Sequence, residues 1–574
     1  MVTYVNDLRL SELATGEGSG TWGTTTNTNL ELIAEKFGTG SEALSDASTA
    51  TITMADGSSD AFRSMALTLT GTLSQACTVT LAPNTLSNVW VIQNSAGNTV
   101  TLTQGTGANV VIPNGGIRMI ATDGAGSGAA ITDVLDVLGG TGNVGLGSGA
   151  FGTGLTTGTD NVAIGDSAAD ALTSGERNTV VGDNAAGAAT IASRNVAIGH
   201  DALATEDVGD RTTVVGDSAL YSQNSDSNNE NTGNTAVGYA TGYYNVTGTQ
   251  NTLIGNEAGL GASGNSYSDN TYVGYISGTA NTTGENNVGV GSSALKSNTT
   301  ASQNTAVGFC ALEATTTGAA NTALGFEALH ANTTAANNTG LGWRSLYTNS
   351  TGASNVGVGV QTLYLNSTGA NNVAVGLQAL NDNTTGGQNV AIGMGAMQTN
   401  TTAENNSALG YKALHSNTTG DRMVAIGEYA LYSNTTADAN TAVGYRALYN
   451  NTTGANNTVS GFDAMFTNTT GSFNVAIGLN AMNKNEGGEQ NTAVGYTALE
   501  DATTANYNVA VGKDAGNSVT TGGYSTIIGT VAGASITTGT ALTAVGYGAA
   551  NVTTGNDAVA VGYRAAVSHT TGLG

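Results

Sequence analysis

The sequence predicts an all-β protein, most of it a β-solenoid with one coil every 17 residues. Three observations lead there. The unit typified by Asn440-Thr441-Ala442-Val443-Gly444-Tyr445-Arg446-Ala447-Leu448-Tyr449-Asn450-Asn451-Thr452-Thr453-Gly454-Ala455-Asn456 recurs from about Asn143 onward. With its positions numbered 1 to 17, the position-5 glycines from Gly274 to Gly546 are 272 residues apart, 16 steps of 17 without a slip. That period is too short for helical-hairpin repeats, which need over about 30 residues, or for leucine-rich repeats, which need about 20 or more.

From Gly147 to Gly562 there are 25 such units. The two longest steps, 22 residues from Gly216 to Gly238 and 19 from Gly255 to Gly274, predict loops bulging from a turn. Each coil is expected to hold two short strands and two turns. Position 2 (Thr or Val) and position 4 (Val, Ile or Leu) share one strand face. With the Leu or Met at position 9 they are expected to fill the coil interior. Positions 3 and 5, small residues throughout, share the other face. At about 4.8 Å per coil the stack would be a rod of roughly 120 Å.

Four segments follow in order: 1–47, 48–126, 127–142 and 143–574. In the first, Leu30, Ile33, Ala34 and Phe37 fall on one helical face. Thr28 or Asn29 can cap that helix and Gly38 can end it. Segment 48–126 reads as short strands separated by Gly, Asn and Pro, which suggests a small β-sandwich or barrel. Residues 127–142 read as a linker in which Ala130 to Leu138 form a short helix or strand. The solenoid occupies 143–574.

Composition narrows the partners. Net charge is −26 and only 10% of residues are charged. Without a basic cluster, nucleic acid and anionic membrane surfaces are not expected partners. No apolar stretch reaches the roughly 18 residues of a membrane helix, and the N-terminus does not read as a signal peptide. Cys77 and Cys310 make neither a metal spacing nor a disulfide framework.

The unit Asn-Thr-Ala-Val-Gly, or Asn-Val-Ala-Ile-Gly at 389–393, resembles the head repeats of trimeric autotransporter adhesins. The resemblance implies a left-handed parallel β-roll and three chains around one axis. It places the small face at that axis, with Ala374, Gly376, Ala391, Gly393, Gly444 and Gly495 facing the trimer partners. The coil here is longer than the family's usual one, and no heptad stalk or membrane-anchor barrel is evident. The start, with Leu8-Arg9-Leu10, Thr21-Trp22-Gly23 and Asn27 to Ile33, resembles the N-terminal region of tail-fibre proteins from marine bacteriophages. This implies an attachment module for a phage tail or adaptor protein, with Trp22, Asn27, Asn29, Leu30 and Ile33 as its residues.

Few side chains suggest chemistry. His330 and His415 share position 10 but lie five coils apart, so they cannot share an ion within a chain; His200 and His569 are isolated. Aromatic residues recur at positions 6 and 10. They could stack sugars, but ladder packing between coils is the expected use. Asn-Thr-Thr matches a glycosylation sequon, yet its periodicity reads better as a turn. Thr-Thr-Gly does not suit ice binding, because adjacent threonines point opposite ways in a strand. Glu404, Asp421 and Asp438 all fall at position 16 of successive coils. Stacked carboxylates could hold a cation such as Ca²⁺ or serve a glycosidase; a solvated acidic strip is the expected reading, and no cofactor is required.

The sequence therefore favours a structural protein rather than an enzyme: a homotrimeric phage tail fibre, folded in the host cytoplasm and carried on the virion. Its solenoid shaft would reach toward a host surface glycan or protein. A secreted or cell-surface adhesin, then extracellular, and a tailspike-like polysaccharide depolymerase are the alternatives. Two local expectations follow. Ser460, at position 4 among Val443 and Ile477, should bond a backbone carbonyl, or its coil should shift so that Val459 points inward. The last coil carries no cap, so a distal tip protein or fraying over 546–574 is expected.

Overall fold

The computed structural model describes residues 3–5, 8–12, 19–138, 142–152, 154–551 and 556–566. It is nearly all β, with one α-helix, a small N-terminal β domain and a parallel β-solenoid of about 24 turns at about 17 residues per turn. The chain divides into two compact units, Met1–Ser266 and Tyr267–Gly574. His569 and the segment 567–574 of the expected fraying end lie outside the described residues.

The first unit opens with a short antiparallel pair, β1 (Thr3–Val5) and β2 (Leu10–Glu12). Helix α1 spans Trp22–Lys36, with Thr21 at its N-cap and Phe37 at its C-cap. It starts earlier than the sequence suggested, so Thr28 and Asn29 are interior helix residues rather than caps. Asn29 instead accepts the Ser11 N–H and donates to the Ser11 carbonyl, both at 3.1 Å, tying α1 to β2. The buried helix residue is Leu32, while Leu30 and Phe37 are exposed.

Nine strands follow: β3 (Thr39–Leu44), β4 (Thr49–Thr53), β5 (Ala66–Gly71), β6 (Cys77–Ala82), β7 (Ser87–Ser95), β8 (Val100–Thr103), β9 (Val110–Ile112), β10 (Ile117–Asp123) and β11 (Ile131–Leu138). Two sheets enclose one core, as a sandwich-like domain would, but the chain reaches them by winding. β3, β5 and β7 pair parallel in one sheet, and β4, β6 and β8 pair parallel in the other. Apolar residues alternate inward along each strand, and Leu69, Val79, Ile92, Val100 and Leu102 meet in the core. There Trp90 stacks on Phe62 at 4.7 Å and donates its indole N–H to the Phe62 carbonyl at 2.9 Å.

The segment read as a linker is structural. Strand β11 pairs antiparallel with β10 on one side and with β12 (Asn143–Leu146) on the other. β12 then pairs parallel with Val162–Ile164, the next coil's strand. β11 thus covers a sheet edge that would otherwise expose unpaired N–H and C=O groups.

After β12, each described solenoid coil contains one three-residue strand, at positions 2 to 4, not the two expected. Strands stack parallel and in register, as in Val373↔Val390 and Val375↔Ile392. The rest of the coil is turns, still bonded coil to coil: Leu380 N–H to the Ala396 carbonyl at 3.0 Å and Thr384 N–H to that of Thr401 at 2.9 Å. Positions 7, 9 and 17 take left-handed conformations, as at Arg446, Leu448 and Asn456 (φ 50°, 55° and 59°). Those bends stop the turns from extending into a second strand. In the 22-residue step the surplus forms an exposed turn at 226–229.

The interior is not the one the apolar pattern suggested. Position 3 points inward, so positions 2 and 4 point outward: Ala442 is fully buried, whereas Val443 is 36% exposed. Position 9 is interior as expected, and positions 1, 8 and 12 join it, as with Asn440, Ala447, Leu448 and Asn451. The cause is volume. A 17-residue coil is narrow, and two asparagines and a leucine leave room for little beyond Ala at position 3. Where position 3 is Leu, Tyr or Ile, position 9 is glycine: Leu253 with Gly259, Tyr272 with Gly278, Ile527 with Gly533, while the smaller Val214 and Val459 sit beside Leu220 and Met465. Val459 is buried and Ser460 half-buried with no shift of register. The inward Val459 therefore follows the general rule rather than an exception.

Candidate functional site

Because position 3 faces in, the outward face carries the large apolar residues. In the second unit, position 4 runs through Leu324, Ile392, Leu409, Ile426, Ile477, Val511 and Ile528, all exposed. Position 6 adds a parallel row, among them Phe326, Trp343, Leu377, Met394, Phe462 and Tyr496, at 40–49% exposure. Gly at position 5 separates the two rows. An apolar band of this extent on a water-facing sheet, broken at Ser460 in position 4 and at Ser292, Glu428, Lys513 and Thr530 in position 6, marks an interaction surface. β-branched residues suit it, since they pack well on a pleated face. The inward alanines, which alternate with these residues, are the signal that could have revealed the face from sequence.

Of the residues expected at a three-fold axis, the alanines lie elsewhere, whereas the glycines are half-exposed between the two apolar rows. Ala374 and Ala391 are fully buried inside their own coils. Gly376, Gly393, Gly444 and Gly495 form an intrachain spine. A Cβ on Gly376 would sit 2.7 Å from the Gly393 carbonyl carbon, and its φ of +126° disfavours any side chain. These glycines are small because adjacent coils touch there.

Two buried asparagine ladders hold the coils together. At position 1, Asn372 Oδ1 accepts the Asn389 N–H at 3.0 Å. At position 12, Asn383 Nδ2 donates to Asn366 Oδ1 at 2.7 Å. Within one coil, Asn372 and Asn383 both donate to the Gly386 carbonyl, each at 2.9 Å. The position-12 asparagines are the sequon asparagines, and Asn298, Asn383 and Asn451 are fully buried. Thr282, at position 13, donates its hydroxyl to the Thr299 carbonyl one coil on at 2.8 Å. The Asn-Thr-Thr-Gly run is a turn.

Aromatic residues stack along the solenoid. Tyr432 lies 5.0 Å from His415 and 5.1 Å from Tyr449, and Tyr449 lies 5.2 Å from Phe466, with interplanar angles of 20° or less. His330, Tyr347 and Tyr364 form a second stack. Interior rings of a stack have both faces covered, so they cannot present them to a sugar. His330 Nε2 meets Glu313 Oε2 at 3.0 Å, and His415 Nε2 meets Gln398 Oε1 at 3.1 Å.

At position 16 the carboxylates bind backbone rather than one another. Asp421 Oδ1 accepts the Glu404 N–H at 2.7 Å, and Asp438 Oδ1 accepts the Asp421 N–H at 2.8 Å. Arg422 lies 3.6 Å from Asp438. Ser472 Oγ does the same for Ala455 N–H at 3.0 Å, so position 16 serves to satisfy an amide one coil back. Among the described residues no group of three or more His, Cys, Asp or Glu could hold a metal ion. Of the expected attachment residues, Trp22 and Leu30 are exposed, Asn27 is exposed and Ile33 half-buried, whereas Asn29 is engaged with Ser11. Cys77 and Cys310 are buried and unpaired, and no described helix is long and apolar enough to cross a membrane.

No protein-family model matches the chain, and a search of curated proteins returns no match.

Proposed function

We propose that this protein is a structural fibre: a homotrimer whose N-terminal region attaches to a phage tail and whose solenoid shaft projects toward a host surface. The observation that carries the assembly is the outward apolar band. Its rows repeat once per coil, about every 4.8 Å. A partner can cover such a surface coil after coil only if it repeats at the same spacing, and another copy of the chain does. Three copies, rather than two, is what the adhesin-like repeat implies. The tail-fibre assignment rests on the likeness of the segment around Trp22 and Asn27 to Ile33, and the exposure of Trp22 and Leu30 suits an attachment role.

Light scattering on the purified chain tests the assembly. The wild type should have the mass of three chains. Ile392→Asp with Leu409→Asp should give monomers, and Thr402→Asp should not. A monomeric wild type, or a trimer unaffected by the paired substitution, would remove the proposal. An antibody to residues 1–140 should label intact virions near the tail in electron micrographs; labelling only of bacterial surfaces would favour the cell-surface adhesin.

A further inference from the structure

In the first unit, the C-terminal end of α1 meets β7 and β10 around a cleft of about 390 Å³ lined by Lys36, Met65, Ser87, Asn88, Val89 and Thr122. Lys36 is half-buried there. Its ammonium donates to Asn88 Oδ1 at 2.6 Å and to the Val89 carbonyl at 3.2 Å, and lies 5.3 Å from the centre of the Trp90 ring. Asn88 is itself held, accepting the Val89 N–H at 2.9 Å and donating its own N–H to Thr122 Oγ1 at 3.1 Å.

Both oxygens on Lys36 are neutral. The neighbouring carboxylate, Glu35, faces Arg63 at 3.6 Å. Burial pushes the Lys36 amine down to about 8, with no charged neighbour among the described residues to hold it up. A partly desolvated cation without a counter-ion is unfavourable, and an arriving carboxylate would relieve it. Beside the polar Ser87, Asn88 and Thr122 the lining offers apolar side chains, of which Met65 is 44% and Val89 39% exposed. A cationic floor with an apolar rim suits an acidic side chain carried between apolar residues.

We propose that the Lys36 cleft receives an aspartate or glutamate side chain, flanked by apolar residues, from the protein to which the N-terminal region attaches. Only the identity of that partner rests on the attachment reading. The cleft itself can be tested in the isolated full-length chain, so failure here leaves that reading to the virion-labelling experiment.

The test is a brief pulse of an N-hydroxysuccinimidyl acetate reagent near pH 8, followed by peptide mass spectrometry. Lys412 and Lys513 serve as internal references. An acetylated, amidated Leu-Glu-Leu peptide should slow acetylation of Lys36 by about threefold or more, as a partly exposed ion pair allows, and leave the references unchanged. The Leu-Gln-Leu peptide should have no effect. A fluorescent Leu-Glu-Leu peptide should bind the wild type and lose that binding in Lys36→Met, with the far-ultraviolet spectrum unchanged. Equal protection by the Glu and Gln peptides, equal slowing at every lysine, or undiminished binding to Lys36→Met would overturn the proposal. So would equal protection by inorganic phosphate, or by a Leu-Gln-Leu peptide with a free C-terminal carboxylate, because neither carries an acidic side chain.

Discussion

Nδ2 of Asn485 lies 2.6 Å from Oδ1 of Asn468, its counterpart one coil earlier. That bond ends a ladder. At the same position the following coils carry Ala502, Val519 and Ile536, all buried, and Asn485 Oδ1 has no partner. Polar and apolar residues thus both fill position 12, and where the two meet an amide oxygen is left without a hydrogen-bond partner.

The ladder predicts position-dependent costs for one substitution. Asn400 bonds Asn383 at 2.7 Å and Asn417 at 3.2 Å. Asn400→Val leaves amide atoms unpaired on both sides and should cost about 1–3 kcal/mol. Asn485→Val disrupts only one neighbour and should cost less. Urea denaturation of the two variants checks this, and equal losses would count against the ladder as a source of stability.

The glycine spine predicts that Gly376→Ala is far worse than Gly487→Ala. A Cβ at Gly376 meets backbone at 2.7 Å at a φ of +126°, whereas one at Gly487 approaches only the Thr470 hydroxyl, at 3.2 Å. The first should cost more than about 3 kcal/mol and open the coils around 376–393 to hydrogen exchange. Similar exchange patterns in both variants would contradict the close coil contact.

Volume exchange inside the coil predicts a rescue. A Cβ on Gly278 would lie 2.5 Å from Tyr272 Cζ. Gly278→Leu alone should therefore destabilise strongly by overpacking. Combined with Tyr272→Ala it should recover most of the loss. The left-handed backbone is no obstacle, because Leu295 occupies the same position one coil on at φ 53°. Melting temperatures of the two single variants and the double variant close the cycle.

Lys36 predicts a pH dependence. Its folded-state amine sits at about 8, below the roughly 10.4 of an unfolded chain. Between those values the unfolded chain binds more protons, so stability rises with pH across that window and is lost as pH falls through 8. Lys36→Met should accordingly be more stable than wild type at pH 7, with the gap closing by pH 10.5. A gap in melting temperature that does not narrow over that range would argue against a depressed amine.

Much of the fold is legible in the residues. The 17-residue register of position-5 glycines specifies stacked coils, and β-rich segments punctuated by Gly and Asn specify the N-terminal strands. The helix boundary was less legible. Thr28 and Asn29 look like caps, but Asn29 has a better partner in the Ser11 backbone, 18 residues away. The acidic strip was legible as a stack and not as a ladder, because what Asp421 bonds is a main-chain amide that side-chain spacing does not announce.

The sequence alone determined the unit, its period and its repetition, because each coil must bond to a similar neighbour in register, with extra residues confined to a turn. The tertiary structure decided which face is inside. Hydrophobicity favoured Val and Ile at positions 2 and 4, but the narrow coil already holds Asn372, Asn383 and Leu380 and admits only a residue such as Ala374 beside them. Space, rather than apolar character, chose the interior, and the larger residues were left outward as a surface for association.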